Sequence, residues 1–593
     1  MAFVISDNII SPLGFTSESN YEAVKGGRTG LRTWLPGTRN VPGSFTASLL
    51  SDEQTRQIHD EGMSCFESMA VCSARKAITD ADIDVSRADT VLIVSTTKGS
   101  VEEEVALSPG DSAQHIASAL GFTTMPIVVC NACISGLAAI ILANRLIEEG
   151  RYENAVVCGA DCQGHFIISG FKSLRALSPE ECRPFDIERL GLNLGEAAAT
   201  MVLSRKKREG RPWHIESGAV RNDAYHISAP SRKGEGLWRA IRSAVGDKDI
   251  NRLALVSAHG TATMFNDQME SVALERMGLT ATPVNGLKGY YGHTMGAAGI
   301  LETIISMHAV DDHTVPGTRH LEELGVSGNI DISPLNRRTG KGSFLKILSG
   351  FGGCNAAVWI SKEDDTTPDN EPDPTDKDCC CHSKKRQAAH RKTHSVRITP
   401  QQVEVDGTAI HTEGSGADML TYLYKEYIGG YSRFYKMDRL CRLGFVASEL
   451  LLQAEGSERF IECEDRAVVF FNHSSSVDSD RKYIESMNDR DNYYPSPSVF
   501  VYTLPNIVTG EIAIRNHYHG ETSFYILPHR NEDEIDDITD SVFADSAIRS
   551  AMTGWIDYQD DTDFAADISI VWNERRDNTA ANGKQREGAG TKI

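Results

Sequence analysis

Val128-Val129-Cys130-Asn131-Ala132-Cys133-Ile134-Ser135-Gly136 is the stretch that decides the fold of this chain. An apolar run of strand type, Pro126 to Cys130, ends there in small residues, and an apolar segment of helical length, Ile134 to Leu146, follows. This order predicts a strand, a tight turn and a helix, with Cys133 at the turn. The first turn of a helix offers unpaired N–H groups and the positive end of the helix dipole, which favour a thiolate. Cys133 is therefore a candidate nucleophile, although a buried structural cysteine would give the same pattern.

Strand-type and helix-type segments alternate on both sides of this unit, through residues 1 to about 362. The helical spacing of apolar residues is clearest between Met63 and Ala81. Strands that alternate with helices predict an α/β domain with largely parallel sheets. The strand-type segments are Phe3–Ile5, Thr90–Ser95, Asn154–Gly159, Ala197–Leu203, Leu253–Ala258, Thr282–Asn285 and Phe344–Leu348.

The composition excludes several classes of protein. The 593 residues are 40% hydrophobic and 24% charged, with a formal net charge of −22, which argues against a general nucleic-acid binder or an anionic-membrane binder. The start of the chain lacks a basic segment, and no stretch has the length of a membrane span. We therefore expect a cytoplasmic protein whose 13 cysteines are reduced. Cys130 and Cys133 have C-x-x-C spacing, but a redox pair is disfavoured because Cys130 ends an apolar strand.

Residues 363–400 are predicted to be a flexible charged linker. Asp364 to Asp378 is acidic with three prolines, and Lys384 to Lys392 is basic. The tract Cys379-Cys380-Cys381-His382 lies inside it, but adjacent cysteines lack the spacing that wraps one zinc ion, so no metal site is predicted.

Residues 401–575 form a second predicted globular region, and residues 576–593 form a polar tail that is predicted to be disordered. The predicted helices of this region are Met437–Ala454 and Val542–Ile556, and its predicted strands are Ala467–Phe471, Val499–Leu504, Ser523–Leu527 and Ile568–Trp572. The order of elements repeats that around Met63–Ala81 and the Cys133 unit. Pro528 and His529 stand at the position of Cys133, so the second copy keeps the scaffold and loses the thiol.

Three further segments of the first domain follow predicted strands and are rich in small residues. They carry His259, then Lys288 and His293, then the turn Gly350-Phe351-Gly352-Gly353. Sites in α/β proteins gather at strand ends, so these segments are expected to converge on Cys133. A lone histidine is usually structural, but one cysteine with two histidines in such loops is a set typical of nucleophilic catalysis.

These motifs, in this order, resemble those of the β-ketoacyl synthases of the thiolase superfamily. The resemblance covers residues 1–362 and implies the thiolase-like layered α-β-α-β-α fold there, with a smaller α/β domain after it that resembles the N-terminal half of the same fold. The segments that carry it are Ile10–Gly14, Asn131–Gly136, Cys182–Asp186 with Gly195-Glu196, His259–Thr263, Lys288 to His293 and Gly350–Gly353. Ala262 and Ala197 stand where the family has glycine, which are small changes that we expect to be tolerated.

The resemblance implies a role for each site residue. Cys133 would accept an acyl group from an acyl carrier protein, and the N–H groups of Cys133 and Phe351 would form the oxyanion hole. His259 and His293 would hydrogen-bond the thioester carbonyl of a malonyl extender and favour its decarboxylation. No cofactor and no metal are implied.

Four further residues would serve this site. Lys288 and Glu302 would support the histidine geometry. Thr261 and Thr263 would contact the pantetheine arm, and Phe351 would gate the acyl pocket.

The second region resembles cysteine-less synthase partners, the chain-length factors of aromatic polyketide and aryl-polyene systems. A homodimer, or a heterodimer with another synthase-like subunit, is therefore expected. The acyl carrier protein is acidic, and two basic spots are candidates for its docking: Lys172 with Arg175, and Arg205 to Arg208. For the second of these, a solvated hairpin after the strand Ala197–Leu203 is the slightly preferred interpretation.

The function predicted from the sequence is that of a 3-oxoacyl-[acyl-carrier-protein] synthase in fatty-acid or polyketide/aryl-polyene-type elongation. Two alternatives stay open. One is a non-catalytic, chain-length-factor-like subunit, and the other is a thiolase-superfamily acyltransferase that does not decarboxylate. The sequence leaves the acyl chain length undetermined.

Overall fold

The computed structural model describes residues 1–101, 108–363, 390–487 and 495–574. The predictions made for Cys379 to His382 and for the tail 576–593 lie outside these residues. Within these ranges, no helix combines the length and the apolar character that crossing a bilayer requires.

The helices of the described residues are α1 Ser17–Lys25, α2 Asp52–Ile58, α3 Cys65–Ala81, α4 Pro109–Leu120, α5 Ser135–Glu148, α6 His165–Ser173, α7 Glu235–Val245, α8 Met264–Arg276, α9 Lys288–Tyr291, α10 Ala298–Asp311, α11 Gly416–Leu423, α12 Arg439–Glu455, α13 Val477–Glu485, α14 Pro497–Tyr502, α15 Ile507–Asn516 and α16 Glu532–Val542. The strands are β1 Ala2–Ile10, β2 Arg32–Trp34, β3 Phe45–Ser48, β4 Thr90–Ser95, β5 Ile127–Val129, β6 Asn154–Asp161, β7 Leu194–Gly195, β8 Ala197–Ser204, β9 Trp213–Asn222, β10 Leu253–Ser257, β11 Pro283–Asn285, β12 Thr314–Val315, β13 Asp331–Ile332, β14 Arg337–Arg338, β15 Ser343–Ser349, β16 Cys354–Lys362, β17 His390–Ile398, β18 Val403–Val405, β19 Thr408–Ile410, β20 Arg466–Asn472, β21 Thr522–Ile526, β22 Ser550–Tyr558 and β23 Phe564–Asn573.

Two buried helices form the central layer of the first domain. Helix α5 is apolar on all sides and buried from Ser135 to Ile147, as expected for a helix with a sheet on each face. It contacts β4 and β6 of one sheet, β9 and β16 of the other, and helix α10 beside it. Helix α3 covers the outer face of the first sheet, and α7 covers that of the second. These are the five layers that the sequence predicts.

The strand order separates two mixed sheets rather than the largely parallel sheets expected from the sequence. In the first, β4 runs parallel to β5 and β6, and β8 and β1 add antiparallel strands at one side. In the second, β10 runs parallel to β11 and β15, and β16 and β9 follow antiparallel. Strand β1 pairs with β8 and β9 pairs with β16 across long stretches of chain, so the alternation of strands and helices along the sequence did not reveal these antiparallel pairs.

The second region repeats the first sheet strand for strand. Strand β20 runs parallel to β21 and β22, and β23 and β17 add antiparallel strands, in the order of β4, β5, β6, β8 and β1. Helix α12 covers its outer face as α3 covers that of the first sheet. The likeness to the N-terminal half of the fold is therefore present in the topology.

The structure corrects three predictions in this region. Strand β17 begins at His390 and pairs with β23, so the prediction of a linker as far as residue 400 is wrong. Val396 and Ile398 are buried, and Arg397 between them is exposed. Residues 499–504, predicted as a strand, belong mainly to α14, because Pro497 stands in its first turn and Ser496 caps it. The predicted helix 542–556 is the end of α16, a turn and strand β22.

The two repeats join edge to edge. Strand β5 pairs antiparallel with β21, where Val129 faces Tyr525, and the N–H of Cys130 donates to the carbonyl of Phe524 over 3.0 Å. Beside this junction, the guanidinium of Arg145 donates to both carboxylate oxygens of Glu521 over 3.2 and 2.9 Å, with both side chains buried. The second region thus occupies the edge of the strand that leads to Cys133.

Replacing Glu521 with glutamine is expected to lower the free energy of unfolding by about 3–5 kcal/mol, because it leaves a buried guanidinium without its anion. Thermal melting of the purified chain measures the loss. The double variant Arg145→Met/Glu521→Gln is the control, since it removes both charges and is expected to recover part of the stability. A single variant that melts with the wild type would contradict a buried ion pair.

Candidate active site

Cys133 lies in a turn of 3-10 helix, Ala132–Ile134, between the end of β5 and the start of α5. Ala132 has φ +48°, a left-handed conformation that turns the chain sharply out of the strand. Gly350 packs against this turn so closely that a Cβ there would lie 3.2 Å from the backbone nitrogen of Cys133. The thiol is 9% exposed and faces a cavity.

The resting Cys133 is a neutral thiol. Burial raises its pKa to about 12, although the ammonium of Lys288 and the backbone N–H groups of Cys133 and Phe351 act in the opposite direction. The thiolate expected from the helix N-terminus is therefore outweighed by desolvation. The same two N–H groups lie at the sulfur, which is where an oxyanion hole for an acyl group on Cys133 would need them.

His259 and His293 are brought to Cys133 from two different elements. His259 follows β10, and His293 precedes α10. Their ring centroids lie 5.1 Å apart with planes at 82°, and a ligand atom of each lies within 4.8 Å of the other and of the Cys133 sulfur. The convergence predicted from the sequence is thus present.

The hydrogen bonds of His293 fix its tautomer. Its Nδ1 accepts from the N–H of Met295 over 3.3 Å, so the proton is on Nε2. Nε2 of His293 is buried and has no hydrogen-bond partner among the described residues, and the same is true of Nδ1 of His259. A donor that is buried without a partner is poised for a substrate atom.

A buried ion network lies behind the histidines. Lys288 donates to the carbonyl of His259 over 2.7 Å and to Glu302 over 2.8 Å, and Lys346 donates to the other oxygen of Glu302. Burial, together with these two ammonium groups, lowers the pKa of both imidazoles well below the usual 6.5. Burial also lowers the pKa of Lys346 to about 8. Both histidines are therefore neutral at pH 7.

Three acidic or basic residues of the site were missed or left without a role by the sequence analysis. Glu270 accepts from the backbone N–H groups of His259 and Gly260 over 2.6 and 2.8 Å. Asp161 accepts from the N–H of Gly296 over 2.6 Å and so holds the turn after His293. Lys346 is a charged residue inside the otherwise apolar strand β15, and this pattern in the sequence could have identified it as a buried functional lysine.

Cys133 separates a large cavity from a small one. The large cavity has a volume of about 460 Å³ and is lined by His259, His293, Thr261 and Thr263 among others. The small cavity, of about 10 Å³, lies on the other side of the thiol and has room for about one water molecule. Phe351 lines both, which is the position of a gate.

The Cys133–His259–His293 cluster has the spacing of a metal site, but its charges oppose a cation. All three ligand atoms lie within 4.8 Å of one another. The ammonium groups of Lys288 and Lys346 already depress the pKa of both histidines, and the same positive potential disfavours a metal dication.

Of the two basic spots, one borders the large cavity. Arg175 lines it, next to the exposed side chains of Leu190, Met264 and Phe265. Arg205 and the lysines after it lie at the opposite end of β6, where they pair with Glu153 and Glu363. The solvated hairpin is therefore the better interpretation of 205–208. His529 is exposed, and because β21 runs antiparallel to β5, the chain after Ile526 leads away from Cys133.

Comparison of folds defines the class of the protein. A ketosynthase–chain length factor structure, PfaC, matches 97% of this chain and 78% of its own with a TM-score of 0.73, and at 13% sequence identity this shows the fold alone. The ishigamide ketosynthase/chain length factor matches 61% of this chain and 99% of its own, with a TM-score of 0.55 and 26% identity. The fold is thus the thiolase-like fold of the ketosynthases.

Sequence comparison narrows the class to one family. Residues 12–209 match the N-terminal domain of beta-ketoacyl synthases and residues 214–322 match the C-terminal domain. Together these cover more than half of the chain, which belongs to the β-ketoacyl synthase family. The granaticin polyketide putative beta-ketoacyl synthase 1 of Streptomyces violaceoruber is 31% identical over 277 residues, 44% of this chain and 66% of that relative. The chain therefore spans just under two thirds of that relative.

The burial of neutral His293 predicts a loss of stability in acid. Unfolded histidine binds a proton below about pH 6.5, whereas the buried imidazole does not, so stability falls as the pH falls below that value. The cost at pH 5.5 is about 1.4 kcal/mol for each such histidine. His293→Asn is expected to melt with a smaller decrease in Tm between pH 7.5 and 5.5 than the wild type.

His529→Asn is the matched control, because its side chain is exposed in the folded chain as it is in the unfolded one. It is expected to keep the wild-type pH dependence. Identical pH dependence in all three proteins would contradict a neutral, desolvated His293.

Proposed function

We propose that residues 1–362 catalyse the decarboxylative condensation of malonyl-carrier protein with an acyl group held on Cys133, as a 3-oxoacyl-[acyl-carrier-protein] synthase. The observation that carries the proposal is the convergence of one buried thiol and two neutral imidazoles, within 4.8 Å, on one cavity. The large cavity is open to solvent at its mouth, and residues of both regions line the small cavity of about 10 Å³ at the thiol.

In the first half-reaction, the Cys133 sulfur attacks the carbonyl of an acyl-carrier thioester. The carbonyl oxygen becomes an oxyanion that accepts hydrogen bonds from the N–H groups of Cys133 and Phe351. Collapse expels the carrier thiolate, which takes up the proton released by Cys133. One thioester replaces another, so the step needs no oxidant and no cofactor.

In the second half-reaction, a malonyl thioester occupies the large cavity with its carbonyl oxygen at the histidines. The bond to its carboxylate breaks, carbon dioxide leaves, and the electron pair moves onto the thioester oxygen. The Nε2–H of His293 and a ring N–H of His259 stabilise that oxygen without carrying a charge of their own. The enolate carbon then attacks the acyl group, and Cys133 leaves as a thiolate that is reprotonated.

The positions of the remaining predicted residues support the same proposal. Thr261 and Thr263 line the large cavity and share a hydrogen bond of 2.9 Å between their hydroxyl groups, as contacts for a pantetheine arm would. The rim of exposed apolar side chains beside Arg175 offers an acidic carrier protein an apolar and a positive contact.

We infer that the second region serves as a chain-length-factor-like module for the first. Phe500, Thr503 and Leu504 line the small cavity behind Cys133. The ring of Phe500 packs edge to face on that of Phe171, with 5.5 Å between the ring centroids. Lys98 also lines the small cavity, and its ammonium group forms an ion pair of 2.6 Å with Asp480. This module would limit the acyl group that fits.

Single-turnover assays with acyl- and malonyl-carrier protein test the proposed activity. The wild type is expected to give a 3-oxoacyl product. Cys133→Gln is expected to lose acylation and condensation but to keep decarboxylating malonyl-carrier protein, because the histidines remain. His293→Ala is expected to lose decarboxylation by about 10²-fold or more and to keep acylation.

The outcomes separate the alternatives. Acylation of Cys133 without decarboxylation by the wild type would favour a non-decarboxylating acyltransferase. Neither reaction, with no labelling of Cys133 by cerulenin, would favour a non-catalytic subunit. His529→Ala is the control for loss of a histidine, and it is expected to condense at the wild-type rate.

Phe500→Ala is expected to shift acyl selectivity of Cys133 toward longer chains, because it opens the small cavity from about 10 Å³. The measurement is the relative rate of Cys133 acylation with acetyl-, hexanoyl- and decanoyl-carrier protein. Phe460→Ala is the control, since that ring is exposed. An unchanged preference would contradict the chain-length role.

A further inference from the structure

The turn that carries the Phe351 N–H is held from the second region. Asn506, which immediately precedes α15, donates from Nδ2 to the carbonyl oxygen of Phe351 over 2.8 Å. A carbonyl oxygen can only accept, so this bond also fixes which end of the Asn506 amide faces the turn. The Asn506 side chain is buried, and its Oδ1 has no partner among the described residues.

The rest of the turn is clamped by the same junction. Gly352 has φ +87°, and a Cβ on it would lie 2.7 Å from Nδ2 of Asn506. A Cβ on Gly510 of α15 would lie 2.6 Å from the carbonyl oxygen of Gly352. Asn222 donates to that same oxygen over 2.8 Å and to the hydroxyl of Thr522 over 3.0 Å. The turn is therefore packed closely against α15, and Asn222 links it to β21.

The carbonyl and the N–H of Phe351 belong to adjacent peptide planes. The carbonyl is held by Asn506 and by the weaker thiol donor of Cys354 at 3.2 Å. Because only φ and ψ of Phe351 separate the two planes, fixing the carbonyl also restricts the direction of the N–H. That direction decides whether the N–H points at the oxygen of an acyl group on Cys133.

The first repeat does not provide such an amide. Asn506 and Gly110 occupy equivalent places in the two repeats, because each lies 11 residues before the left-handed residue that ends the helix there, His517 for α15 and Gly121 for α4. Gly110 has no side chain and instead packs against the backbone of Leu527 and Pro528. The copy that lacks the thiol is thus the copy that carries the amide.

We propose that Asn506 is a positioning residue that holds the Phe351 N–H in the oxyanion hole, so that the second region contributes to the acylation of Cys133 as well as to the shape of its pocket. This inference rests on the proposed function. It assigns the second region an effect on rate that is separate from acyl selectivity.

Asn506→Asp tests the proposal, because it keeps the shape of the side chain and replaces the donor with an acceptor facing the Phe351 carbonyl. Acylation of Cys133 by acyl-carrier protein, followed by mass spectrometry in single turnovers, is expected to slow about 10- to 100-fold, the scale of a misplaced catalytic group. Alkylation of Cys133 by iodoacetamide, which forms no oxyanion, is expected to slow by less than acylation does. Decarboxylation of malonyl-carrier protein, which uses the histidines, is expected to stay within about twofold of the wild type.

Asn516→Asp is the matched control. Asn516 is buried at the other end of the same helix and bonds to Arg459 and to the carbonyl of Ile512, within the second region. Cys133 of the Asn516→Asp variant is expected to be acylated within about twofold of the wild-type rate. Asn506→Ala provides a second variant, in case an aspartate there prevents folding.

Wild-type acylation rates in both Asn506 variants would overturn the inference and leave the proposed function intact. An equal loss of acylation, alkylation and decarboxylation would also overturn it, since that pattern marks a structural role. A wild-type protein that neither acylates nor decarboxylates would overturn the proposed function, and the inference with it.

Discussion

The close crossing of two buried helices is the constraint on which the site depends. A Cβ on Gly136 of α5 would lie 2.7 Å from the carbonyl oxygen of Gly296, and one on Gly299 of α10 would lie 2.4 Å from the backbone nitrogen of Leu137. Only glycine permits this approach. Because Cys133 precedes α5 and His293 precedes α10, the crossing places the thiol and an imidazole at the same end of the central layer.

Burial then determines the charge states at that end. Desolvation holds Cys133 as a thiol and both histidines as neutral imidazoles. Glu302 lies between the ammonium groups of Lys288 and Lys346, which would otherwise repel each other. For the proposed condensation, in which negative charge develops on a thioester oxygen, neutral donors would stabilise that oxygen without strongly binding the carboxylate of the proposed malonyl extender. The site is therefore preorganised by packing rather than by exposed charge.

The sequence predicted the layered fold, and it predicted that Cys133, His259 and His293 lie together, because both depend on local motifs at strand ends. Contacts between distant residues were harder to predict. The effect of desolvation on the Cys133 thiol was not predicted, because a helix N-terminus is visible in a sequence and desolvation is not. The role of Lys346 depends on pairing with Glu302, and the helix at Pro497 was hidden by an apolar run of strand type. Strand β17 was missed because its outward charges read as a linker.

The pairing of β5 with β21 has a consequence for the assembly of the molecule. An edge strand with unpaired N–H and C=O groups invites association with other chains, and here that edge is covered by the same polypeptide. The contact is governed by an effective concentration set by the tether, so dilution in the cell does not separate the two repeats. Fusion also fixes their stoichiometry at synthesis, and each thiol-bearing repeat is made with its own partner.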